Sequence, residues 1–157
     1  MIERIENKRI DSLIEILNIK LELLQGIYDL TCDQAQKLKD ENIDGYIKIL
    51  DRKEIRIKKI KELDEKYNDG LEKIKESYNT EDLNDIQGSE KVVDLKQNIQ
   101  KVLKNIYDVD KSNSEKFNLE FEKVRSKMVD FKKGKKVTSN YYKVPTQVGG
   151  YFIDNKR

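Results

Sequence analysis

Histidine and tryptophan are missing, and the 157 residues include a single cysteine, a single proline and seven glycines. Without histidine the chain has neither the commonest general base nor the commonest metal ligand. Cys32, having no second cysteine, excludes an internal disulfide. There is no glycine-rich phosphate loop, Cys-x-x-Cys, Gly-x-Ser-x-Gly or Glu-x-x-His, so the expectation is a protein without catalysis, metal or cofactor. Long apolar runs are missing too. No stretch approaches the roughly 20 residues that cross a bilayer, and the opening Met1-Ile-Glu-Arg-Ile-Glu has no apolar run of signal-peptide type. Both point to a cytoplasmic protein with no membrane insertion.

What the chain has in abundance is charge, 39% of residues against 36% hydrophobic. That balance disfavours a thick multilayer core and favours long helices with one apolar stripe each. The net charge of +2 argues for neither nucleic acid nor an acidic surface. It conceals an asymmetry: residues from Lys132 onward carry +6, residues 1–131 carry −4.

Heptad spacing predicts three helices. The first has its seam at Ile10, Ile14, Leu17, Leu21, Leu24, Tyr28, Thr31, Ala35 and Leu38, flanked by Leu13, Ile16, Ile19, Leu23 and Ile27. Ser12 and Glu15 have capping-box spacing, while Ile2 and Ile5 would allow an earlier start. After Lys39-Asp-Glu-Asn42, with Asn42 a cap, the second helix carries Ile43, Tyr46, Leu50, Ile57, Ile60, Tyr67, Leu71, Ile74 and Tyr78. Lys53 and Asp64 interrupt its seam, and Asn68-Asp69-Gly70 either breaks it or is absorbed into it. Turn formers over 79–89 lead to Ser89, a start for a third helix over 90–133 with a stutter at Asn113. The expected fold is all-α: an elongated antiparallel three-helix bundle or coiled coil over 1–133 with a flexible basic, aromatic tail over 134–157.

Two features outlast the core arithmetic. The distal stripe Phe117, Phe121, Val124, Met128 and Phe131 belongs to a helix expected to outrun its partners, which leaves an amphipathic face for another helix; a seam for a second copy of the chain, or a stripe fully buried within the bundle, fits the same periodicity. In the tail, Tyr141, Tyr142, Tyr151, Phe152 and Ile153 have no obvious core to enter, and docking to a protein suits them better than nucleic acid does. The remaining candidates have plain readings. Carboxylate pairs such as Glu62 with Glu65 and Glu120 with Glu122 read as solvated faces. Cys32 has no partner base, and the seam tyrosines read as packing groups with their hydroxyls at the rim.

Leu13-Ile-Glu-Ile-Leu running into Leu21-Glu-Leu-Leu, the segment Asp51-Arg-Lys-Glu-Ile-Arg-Ile-Lys-Lys-Ile-Lys-Glu-Leu-Asp, and the ending Gly134-Lys-Lys, Tyr141 and Tyr151-Phe-Ile-Asp-Asn-Lys together resemble the FlgN family of flagellar export chaperones. The tail is the more specific part, with Asn155 standing where the family ending has lysine. The resemblance implies a cytoplasmic type III export chaperone that binds hook-associated proteins of the hook–filament junction and brings them to the export gate. It assigns client binding to Phe117, Phe121, Val124, Met128 and Phe131. Export-gate contact falls to Tyr141 or Tyr142 and, with them, the apolar end Tyr151, Phe152 and Ile153. The sister family of filament-cap chaperones and a structural, self-associating coiled coil are the alternatives.

Overall fold

The computed structural model describes residues 2–131, and all of its regular structure is helical. Helix α1 spans Ile2–Lys39, α2 Ile43–Tyr78 and α3 Glu90–Phe131, with a single 3-10 turn at Leu83–Asp85 between α2 and α3. The all-α expectation holds. Contacts divide the chain into two compact units, Met1–Tyr28 with Lys53–Lys104 and Asp29–Arg52 with Asn105–Arg157, each built from segments of all three helices.

Helix α1 begins at Ile2, the earlier of the two starts the sequence allows. Ser12 therefore caps nothing: its hydroxyl donates back to the Lys8 carbonyl at 3.0 Å, the i−4 bond usual for a serine inside a helix. The expected cap of α2 does form, with the Asn42 side-chain oxygen accepting from the Gly45 amide at 2.9 Å. A Cβ at position 45 would lie 2.7 Å from the Asn42 side-chain amide nitrogen, so any residue larger than glycine there would have to push the capping side chain aside. Glu41 takes the left-handed turn before it, at φ 55°. Ser89 immediately precedes α3, its carbonyl accepting the Val93 amide at 3.0 Å.

In the first unit the helices bury Ile10, Leu13, Leu17, Leu24 and Ile27 of α1, Ile57, Ile60, Tyr67 and Ile74 of α2, and Val92, Leu95 and Ile99 of α3. Helices α1 and α2 run antiparallel here, since Arg9 donates to Ser77 at 3.1 Å and Lys20 meets Asp64 at 2.7 Å. Asp64, a break in the α2 seam by sequence, is thus answered by Lys20 of α1. Helix α2 continues through Asn68-Asp69-Gly70. The glycine serves close packing rather than a break, because a Cβ on it would stand 3.0 Å from the Leu13 Cδ2. Gly70→Val should therefore cost about 1–3 kcal/mol by overpacking. Circular dichroism melts check this; an unchanged Tm would show that Leu13 yields freely.

The buried register of α1 is Ile10, Leu13, Leu17, Leu24, Ile27, Thr31, Gln34 and Leu38, with Leu30 buried beside it. It shares Ile10, Leu17, Leu24, Thr31 and Leu38 with the predicted seam but takes Leu13, Ile27 and Gln34 where Ile14, Tyr28 and Ala35 were expected; those three are only half-buried. Lys53, read as a seam interruption, is buried at 3% exposure.

Candidate functional site

The second unit places the distal end of α3. Here Leu30, Thr31, Gln34 and Leu38 of α1, Tyr46 and Ile49 of α2, and Ile106, Asp110, Asn113 and Phe117 of α3 are buried. Buried amides fix the register: Asn113 donates to the Thr31 carbonyl at 2.8 Å and Gln34 to the Tyr46 carbonyl at 3.3 Å. A buried amide without such a partner would forfeit about 1–3 kcal/mol of desolvation, so slippage between helices is penalised. Asn113 sits where the sequence stutters. The extra residue there puts an amide on the inner face, and α1 supplies the carbonyl it needs.

Next to this polar layer the Tyr46 ring stacks on Phe117, with centroids 4.6 Å apart and planes 18° from parallel. Phe117 is followed by Phe121 at 6.1 Å and 25°. Leu38, Tyr46 and Phe117 form a small core against which Ile43, Leu50 and Phe121 pack. Tyr46 is 1% exposed, so its hydroxyl lies inside and not at the rim as the sequence reading had it. Burial first, and the Asp110 charge second, push its pKa well above the ordinary value near 10. A neutral phenol is thus favoured by folding. That contribution is complete below pH 10 and is lost as the pH rises above it, where the unfolded chain ionises first. Tyr67, also raised by burial, adds to the same trend. Alkaline melts of the native chain should fall off above pH 10, and a Tyr46→Phe variant should fall off less; equal losses would assign the trend to Tyr67.

Exposure rises along the predicted client-binding stripe from Phe117 to Val124 and is lower again at Met128. Phe117 is 2% exposed, Phe121 half-buried, Val124 40% exposed and Met128 half-buried. The cause is chain length. Helix α1 ends at Lys39 and α2 starts at Ile43, while Thr31 meets Asn113, so both partners finish near the level of Phe121. Helix α3 runs ten residues farther, roughly 15 Å at 1.5 Å per residue. Leu119 and Val129, off the stripe, are exposed at 64% and 53%. Sequence reading missed both because they break the three-four spacing. The polar side of the overhang is held by exposed i,i+3 ion pairs, Lys123 to Glu120 at 3.2 Å and Arg125 to Glu122 at 3.5 Å.

One expected client contact needs correcting. Phe117 is a core residue, sealed under Tyr46, and offers a partner no accessible face. Phe131 closes α3, but its side chain lies outside the described residues, as do Tyr141, Tyr142, Tyr151, Phe152 and Ile153. Cys32 is free and exposed. Among the described residues no three histidines, cysteines or carboxylates converge as a metal site would require, and no helix is long and apolar enough to cross a membrane.

An apolar stripe that starts in a core and emerges from it is a geometry for holding another helix, and a family comparison agrees with the resemblance seen in the residues: the model of the FlgN protein family matches residues 1–147. The chain belongs to the FlgN family. No curated protein and no solved structure matches it. FlgN proteins are flagellar export chaperones. The FlgN match takes in all three helices and reaches past Pro145, so it covers the α3 overhang and most of the segment that follows.

Proposed function

We propose that this FlgN-family protein is a cytoplasmic, non-catalytic chaperone of the flagellar type III export system that binds hook-associated proteins and hands them to the export gate. The client seats a helical segment on the face made by Phe121, Val124, Met128 and Phe131, with Phe117 holding the base of that face rigid from inside. Tyr141, Tyr142 and the end Tyr151, Phe152 and Ile153 are the segment that contacts the gate. The observation that carries the reading is the exposure gradient along one stripe, from 2% at Phe117 to 40% at Val124. Capturing a client there removes apolar area from water on both partners and shields the client's own seam from self-association.

The same face would serve a self-associating coiled coil, and light scattering separates the two. The chaperone reading expects a discrete complex when the chain is mixed with a hook-associated protein, and no such complex with a filament-cap protein. A large oligomer of the chain alone, unchanged on dilution and indifferent to either addition, would sink it.

A further inference from the structure

The end of α3 is a narrow seat on its own. Beyond Phe121 ten residues rise about 15 Å, and half the girth of a helix that long offers roughly 250 Å². Specific, stable interfaces cover about 600–1,000 Å² on each partner. A client helix held there therefore needs more wall than the α3 stripe supplies.

Helix α2 supplies that wall on one of its flanks. Ile43 and Leu50 pack with Phe121 against the Leu38–Tyr46–Phe117 core. Ile47 stands four residues from one and three from the other, so it shares their face of α2, yet it is 37% exposed. The opposite flank is polar, since the groove of α2 against α1 is lined by Asp33, Lys37, Lys48 and Arg52 among others. We propose that the client helix lies along α2 as well as α3, its apolar face covering Ile47 and the half-buried Ile43, Leu50 and Phe121 before it reaches Val124 and Met128. This rests on the client reading given above and adds α2 to the seat. Helix α2 starts near the level of Phe121, so the rise from Ile43 to Leu50, about 10 Å, lengthens the seat to roughly 25 Å and its area to roughly 400 Å² on each partner. That is the size of a transient complex, as a carrier that must release its cargo requires.

Charge on the rim narrows the chemistry of the occupant. Asp44 and Asp51 lie three residues before and four after Ile47, beside it on α2, and both are exposed. Among the described residues neither is in an ion pair. Asp44 is in the first turn, where the helix dipole favours a carboxylate; Asp51, two turns in, has no such support. An amphipathic helix with lysine or arginine along one edge of its apolar stripe answers both carboxylates while its apolar residues cover Ile47. A helix with an acidic edge there is repelled.

Isothermal titration of the full-length chain with a hook-associated protein tests the α2 wall. Ile47→Ser should weaken the complex about 3- to 10-fold through the exposed apolar area it removes, with the thermal melt little changed. Asp51→Lys, at an exposed position, should weaken it about 2- to 5-fold at low ionic strength, and the deficit should vanish at about 0.5 M salt. Native affinity in either variant overturns the proposal. So does a native chain that dimerises in sedimentation equilibrium and loses the dimer on Ile47→Ser, because a second copy then occupies this edge. If Val124→Ser with Met128→Ser weakens capture and Ile47→Ser does not, the α2 wall alone fails; if neither weakens it, the client reading itself fails.

Discussion

Phe117→Ala should cost about 3–5 kcal/mol of stability, the range for deleting a buried phenylalanine. The ring is 2% exposed, stacks on Tyr46 at 4.6 Å and supports Phe121 at 6.1 Å, so its loss leaves a cavity beside both. Against a total of about 5–15 kcal/mol for an ordinary domain, that is a large share of the stability of the second unit. Thermal melts followed by helical circular dichroism measure the effect. A fall in Tm of only a degree or two would mean that Phe117 sits in a site able to collapse around the gap. Client capture should fail in this variant as well, but through unfolding; Phe117→Ala therefore cannot be read as loss of a contact.

Val124→Ser combined with Met128→Ser should do the reverse. Val124 is 40% exposed and Met128 half-buried on the stretch of α3 beyond the ends of α1 and α2, so helicity and Tm should change little. Capture of a hook-associated protein removes these two side chains from water, a gain of about 2–3 kcal/mol after allowing for the area already covered. Their loss should weaken the complex about 30- to 150-fold, as isothermal titration would show. Ile55→Ser, at a position 58% exposed in the first unit, is the control and should bind as the native chain does. Equal weakening by Ile55→Ser would locate the client elsewhere. The opposite behaviour of Phe117 and of the Val124–Met128 pair, one losing fold and the other losing only binding, is what the exposure gradient means physically.

The three helices and both connections were legible because their signals are local: heptad spacing, Asn42 as a cap, and Ser89 before α3. The rotation of each helix was less so. Apolar residues lie on both sides of the α1 seam, and spacing alone could not tell Leu13 and Ile27 from Ile14 and Tyr28. The deciding residue, Gln34, is polar, and its burial is tolerated because the Tyr46 carbonyl accepts its amide. The same blindness placed the Tyr46 hydroxyl at the rim and made Phe117 a surface residue. Periodicity marks which residues share a face and is silent on where neighbouring helices stop. For α3 that stop, near Phe121, divides core from candidate site.

Hydrogen exchange along α3 tests the central claim most directly. In the free protein, amides over 105–117 should exchange slowly and those over 122–131 quickly, and addition of a hook-associated protein should protect 122–131 while leaving 105–117 as it was. Equal protection of the two stretches before any addition, or protection gained only outside 122–131, would contradict the account.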